Sequence, residues 1–167
     1  IPSDYAGGTI LVNAGDVFIF EAGANTDVAF ESASGLPTDF AIDFGESNAN
    51  AFTVEIKNDL NADIAIADDV SLDNLYIKAP NAASTDVTIG NNVTLDRFEG
   101  SGGTDTVVIG DNFTTYNDFK TANGDDSITI GNNATAPKFD TGGDNDTVIT
   151  DDPNIIVANA ESIDVIG

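Results

Sequence analysis

The ten residues Asp86 to Leu95, DVTIGNNVTL, recur along the chain, and this recurrence limits the available folds more than any other feature. ADIAIADDVSL precedes the segment; TVVIGDNFTT and SITIGNNATA follow it. Laid on Val87, the copies start at Ile64, Val107 and Ile128, at spacings of 23, 20 and 21 residues, and a weaker copy starts at Val148. Two residues on stand Ile66, Ile89, Ile109 and Ile130; three on, Ala67, Gly90, Gly110 and Gly131; five on, Asp69, Asn92, Asn112 and Asn133. A fixed period of this kind marks a repeat architecture, in which each unit buries its apolar face only against its neighbours.

Within a repeat the pattern is that of short strands. GTILVNAGDVFIFEAG, FTVEIKN, TVVIG and SITIG alternate apolar with polar residues and are rich in Val, Ile, Thr and Phe. Such alternation puts every second side chain on one face. No stretch sustains a helical period. One coil runs from Asp86 to Asp105: Val87 and Ile89 point inward, Gly90, Asn91 and Asn92 turn the chain, and Val93, Leu95 and Phe98 point inward again. Phe119 and Phe139 hold the place of Phe98 in the next coils, and Leu75 or Ile77 in the preceding one. About 20 residues make one turn of a parallel β-solenoid. The predicted fold is therefore all-β: a right-handed parallel β-solenoid over residues 51–167, with residues 1–50 as an N-terminal β segment or cap, or as irregular first coils. At the first corner Gly is expected to supply a positive φ. The row Asp68/Asp69, Asn91/Asn92, Asp111/Asn112, Asn132/Asn133 is expected to stack as a side-chain ladder.

Charge narrows the partners. There are 29 Asp and Glu against 5 Lys and Arg, a net charge of −24. Nucleic acid and anionic membrane surfaces are excluded as partners, since binding to phosphate needs basic residues. Cations are attracted instead. The five basic residues, Lys57, Lys78, Arg97, Lys120 and Lys138, recur about once per coil and are expected to form one outward stripe beside Asp96, Glu99, Asp118 or Asp140. With no Cys there is neither a disulfide framework nor a thiolate site. No apolar run is long enough to insert into a membrane. The chain begins at Ile, as a processed protein or an excised fragment would.

The second corner carries the candidate site. GSGGTDTVVIG, TANGDDSITIG and TGGDNDTVITD each place Gly shortly before Asp, then a small polar residue, then an inward β-branched one. These segments resemble the RTX (repeats-in-toxin) family, whose nonapeptide G-G-x-G-x-D-x-U-x builds a calcium-bound parallel β-roll. The matching residues are Gly102, Gly103 and Asp105, then Gly124 and Asp126, then Gly142, Gly143 and Asp146; Asp125 and Asp144 lie in the same turns. The third glycine of the consensus is absent, and the motif occurs once per coil. The resemblance implies Ca²⁺ held by these ten residues through backbone carbonyls and carboxylates, the hard oxygen donors that calcium prefers.

These features lead to one functional expectation: a non-catalytic, calcium-stabilised structural module, secreted or on the cell surface, of a bacterial surface-layer, adhesin or matrix protein. Two alternatives are a filament subunit, a homo-oligomer joined by edge-strand stacking, and a polysaccharide-active β-helix enzyme using paired carboxylates. A cell-surface glycan is a possible further partner. Against catalysis stand the absence of His and Cys and the assignment of every candidate Asp to a corner.

Overall fold

A computed structural model of the chain describes residues 1–2, 5–21, 27–44, 52–57, 60–79 and 82–166. Seventeen strands form two sheets, and no helix occurs among the described residues. Sheet one holds β1 (Gly8–Val12), β3 (Val28–Ser32), β5 (Phe52–Ile56), β7 (Ser71–Lys78), β9 (Thr94–Glu99), β12 (Phe119–Lys120), β14 (Phe139–Asp140) and β16 (Val157–Ala158), with β11 (Thr114–Thr115) also paired to β9. Sheet two holds β2 (Val17–Ile19), β4 (Thr38–Asp43), β6 (Leu60–Ile66), β8 (Ser84–Ile89), β10 (Thr106–Ile109), β13 (Ser127–Ile130), β15 (Thr147–Thr150) and β17 (Ser162–Val165). The chain passes from one sheet to the other and back, so all neighbours in a sheet are one coil apart and parallel. The result is a β-solenoid with roughly 21 residues per coil.

The sequence repeat becomes one inward row. Phe18, Ile42, Ile64, Val87, Val107, Ile128, Val148 and Ile163 are direct register partners along sheet two. Phe18 and Ile42 belong to residues 1–50, where the primary structure reveals no clear copy because the Asn or Asp that stands five residues on in the later copies is replaced by Gly23 and Ser47. Sheet one answers with Val28, Val54, Ile77, Phe98, Phe119, Phe139 and Val157 in register. The rings of Phe98 and Phe119 stack at 4.5 Å, and those of Phe119 and Phe139 lie 5.7 Å apart. The inward residues of both sheets merge into a single core. Each such side chain contributes roughly 1.5–3 kcal/mol by leaving water, and neighbouring rings add about 0.5–1.5 kcal/mol per pair.

The cations do not form the single stripe expected of them. In direct register on the outside of sheet one stand Glu55, Lys78, Glu99, Lys120 and Asp140, so acid and base alternate from coil to coil. Lys78 Nζ lies 3.4 Å from Glu55. Arg97 occupies the next position along, with its guanidinium 5.0 Å above the Tyr76 ring. The Tyr76 hydroxyl donates to Glu99, and its pKa is pushed up to about 12 by burial, then by that bond and the Glu99 charge. Alternation is favoured because opposite charges directly across a strand pair attract and like charges repel.

Candidate functional site

Two corners join the sheets, and both are built from polar side chains that bond from one coil to the next. The Gly–Asn corner leads from sheet two to sheet one. Here the positive φ falls on Asp69, Asn92, Asn112 and Asn133, at 60°, 56°, 58° and 56°. Asn and Asp tolerate this region better than other side-chain-bearing residues. The expectation that Gly supplies it is corrected. Gly90 serves close approach instead: a Cβ there would sit 2.6 Å from the Asp68 backbone nitrogen of the previous coil. The expected ladder is present in two rows. The backbone N–H groups of Asn91, Asp111 and Asn132 donate to the side chains of Asp68, Asn91 and Asp111 at 2.7, 2.8 and 2.8 Å. In the second row the amides of Asn92, Asn112 and Asn133 donate to Asp69, Asn92 and Asn112 at 2.7, 2.8 and 3.2 Å. Both rows are exposed at the surface.

The Gly–Asp corner returns the chain to sheet two and holds the ten residues singled out above. Their aspartates divide by the alternation of the strand that follows. Asp105, Asp126 and Asp146 stand two residues before the inward Val107, Ile128 and Val148, so they share their face. They are 0 %, 2 % and 1 % exposed. Asp125 and Asp144 are exposed. The buried three form a chain of bonds along the solenoid axis. The N–H of Thr85 donates to Asp105 Oδ1 at 2.8 Å, that of Asp105 to Asp126 Oδ1 at 2.8 Å, and that of Asp126 to Asp146 Oδ1 at 2.9 Å. The N–H of Asp146 donates to Glu161 at 2.8 Å. Asp105 also accepts from the Ser101 N–H and hydroxyl. Oδ2 of Asp126 and Oδ2 of Asp146 are buried with no partner.

Burial sets the electrostatics of this row. Burial pushes the Asp105 carboxyl up, against the opposing bonds from Ser101 and Thr85. Asp126 is pushed up to about 7, by burial first; the nearby Thr121 hydroxyl and the bond from the Asp105 N–H oppose this, and the charges of Asp105 and Asp146 add to it.

The glycines keep the corners in contact. Gly142 has φ 94°, and a Cβ there would fall on the Ala122 carbonyl oxygen of the coil before. Added Cβ atoms at Gly103 and Gly124 would likewise collide with the backbones of Ala83 and Gly103, whereas one at Gly143 would meet Asn123 Oδ1 at 3.4 Å. Gly102 lies at the exposed tip of its turn. Asp125 accepts the Asn145 N–H at 3.0 Å, and Asp144 accepts the Gly124 N–H at 3.3 Å.

Part of the donor set that a calcium shell would need is already committed within the chain. Calcium takes about 6–8 oxygens at roughly 2.3–2.6 Å. Among the described residues no three carboxylates gather closely enough to hold a metal. Each buried aspartate spends Oδ1 on a backbone N–H, and the space beside Gly142 is filled by a carbonyl of the neighbouring coil. The corner also contains residues that sequence reasoning passed over. Ser101, Thr121 and Thr141 are all fully buried, and Thr121 Oγ1 donates to the Thr141 carbonyl at 3.0 Å. A small hydroxyl residue two or three places after each inward Phe was the available signal. Compared with family models, with curated proteins and with solved structures, the chain matches none.

Proposed function

We propose that this chain is a non-catalytic structural module, a stiff acidic rod segment of a secreted or cell-surface protein, which keeps its form without calcium. One observation carries this: the polar side chains that could do chemistry bond along the solenoid axis, from coil to coil, at both corners. Polar groups committed in this way rigidify a structure, because each is satisfied only when its neighbour is in place. A net charge of −24 keeps such a module soluble.

The test has two arms. In EGTA, circular dichroism should show a formed β spectrum, with CaCl₂ shifting Tm no more than MgCl₂ does. A coil-to-β transition specific to calcium would overturn the metal-independent rod. Incubation with neutral glucans and polyuronates should release neither reducing ends nor unsaturated sugars; turnover of any of them would make the module an enzyme.

A second reading is self-assembly. Ile163 and Val165 occupy inward positions of β17 yet are 51 % and 49 % exposed, whereas their partners Val148 and Thr150 are 0 % and 1 % exposed. A further coil from a second copy stacked on β17 would cover them. Light scattering that reports a concentration-independent monomer would remove this reading.

A further inference from the structure

One polar side chain of the Gly–Asp corner bonds to nothing along the rod. Asn123 stands three residues before the buried Asp126, where the neighbouring coils have Gly102 before Asp105 and Gly143 before Asp146. A glycine therefore serves at this place in both neighbours, and the turn does not require an amide. Asn123 is exposed, and its backbone bridges Gly143 of the next coil. Among the described residues its side chain makes no hydrogen bond, whereas the amides of Asn92, Asn112, Asn133 and Asn145 are each bound to the coil before. The next residue is Gly124, which makes this the chain's single Asn–Gly pair. Gly124 has φ 113°, and its N–H is held by one bond of 3.3 Å to Asp144 Oδ2, longer than the usual range.

An unengaged amide thus lies next to a backbone nitrogen that no side chain shields. A glycine nitrogen approaches the preceding Cγ more readily than that of other residues, because no Cβ obstructs it or narrows the backbone. The other asparagines of the two corners lack one or both conditions. Asn92, Asn112 and Asn133 are followed by Val93, Phe113 and Ala134, and Asn91 and Asn132 by a second asparagine. Asn145 is followed by Asp146, whose N–H is committed to Glu161 at 2.8 Å.

We propose that Asn123–Gly124 is a site of spontaneous covalent modification, at which the asparagine loses its amide through a cyclic imide. The Gly124 nitrogen gives its proton to solvent and bonds to Asn123 Cγ. The Cγ–Nδ2 bond breaks, and Nδ2 takes a proton from water and leaves as ammonia. One water then opens the ring. Breaking the new N–Cγ bond gives aspartate on the original backbone. Breaking the old peptide bond gives isoaspartate, whose main chain runs through Cβ and Cγ. The two products act differently on the rod. Aspartate adds one charge at an exposed tip. Isoaspartate adds a methylene to the backbone of a corner without room for it: a Cβ at Gly124 alone would lie 2.4 Å from the Gly103 carbonyl oxygen. The lengthened turn must part from Gly103, and it displaces Asp126, whose bonds join three coils. Modification of one exposed residue therefore loosens the stack around β10, β13 and β15, whatever role the rod serves.

Ageing of the intact folded chain in neutral buffer with EGTA, at physiological temperature, tests this beside a sample kept unfolded in urea. Trypsin releases residues 121–138, between Lys120 and the bond after Lys138, so that Asn123, Asn132 and Asn133 share one peptide. Over weeks the folded chain should show the amide-to-acid mass change at Asn123 an order of magnitude faster than at Asn132 or Asn133. Isoaspartyl methyltransferase should label the same peptide, and Asn123→Gln should abolish the label. Asn123→Asp reproduces the product with the original backbone and should keep the wild-type urea midpoint, whereas the isoaspartate fraction should unfold at lower urea. Conversion in urea with none in the folded chain would show that the corner shields the pair, and would overturn the proposal. So would equal conversion at the three asparagines. An isoaspartate fraction as stable as Asn123→Asp would overturn the loosening of the stack.

Discussion

The two corners of this solenoid solve one problem with opposite polarity. At the Gly–Asn corner the later coil donates: the N–H of Asp111 reaches back to the side chain of Asn91. In the buried row of the Gly–Asp corner the earlier coil donates: the N–H of Asp105 reaches forward to the carboxylate of Asp126. Each coil is thus held to both neighbours by side chains that act as acceptors for backbone groups the sheets leave over. Exposure separates the corners further. Water can replace a lost partner at the exposed Asn row, but nothing replaces one at the buried Asp row. Similar bond lengths at the two corners therefore carry different energetic weight, and substitutions matched between them measure the difference.

The largest effect is expected from glycine. Gly142→Ala places a methyl group on the Ala122 carbonyl at a φ of 94°, and the backbones must separate. It should cost about 3 kcal/mol or more, visible as a large drop in the urea midpoint. Gly90→Ala, at the exposed corner, also meets the Asp68 backbone but at an ordinary φ; it should cost less, about 1–3 kcal/mol. Equal losses would mean that the corners are packed alike.

Next comes removal of an acceptor. Asp105→Ala strands the N–H groups of Thr85 and Ser101 in the interior and should cost about 3 kcal/mol. Asn91→Ala strands only the Asp111 N–H at the surface and should cost about 1 kcal/mol or less. Chemical denaturation of the pair reads the ratio directly, and a ratio near one would break the comparison.

The smallest effect isolates the amide row. Asn112→Gly removes its side-chain bonds to Asn92 and Asn133 while easing the left-handed backbone at 58°. The net change should be within about 1 kcal/mol of zero. Asn112→Ala keeps the backbone cost and should be worse by about 1 kcal/mol.

Much of this is legible in the sequence. Spacing of the copies at Ile64, Val87, Val107 and Ile128 implies stacked parallel strands, and all four are direct partners. The phenylalanines at 98, 119 and 139 stack as the repeat requires, and the amide ladder lies where it was expected. Asp105, Asp126 and Asp146 were open to the same treatment: an aspartate two places before an inward Val or Ile must face inward with it. Ser101, Thr121 and Thr141 were overlooked because small hydroxyl residues are common in turns, and only burial distinguishes these.

By itself the primary structure determined the period, the alternation and the corner residues, and hence a stack of short strands with an apolar interior. These are local properties, set by which way successive side chains point along one strand. Tertiary structure alone decided the direction in which each ladder runs, the entry of Phe18 and Ile42 into the common row, the pairing of cations with acids across coils, and the loneliness of Asp126 Oδ2. Each of these depends on the distance between backbones that lie about a coil apart in the chain, and strand periodicity does not encode that distance.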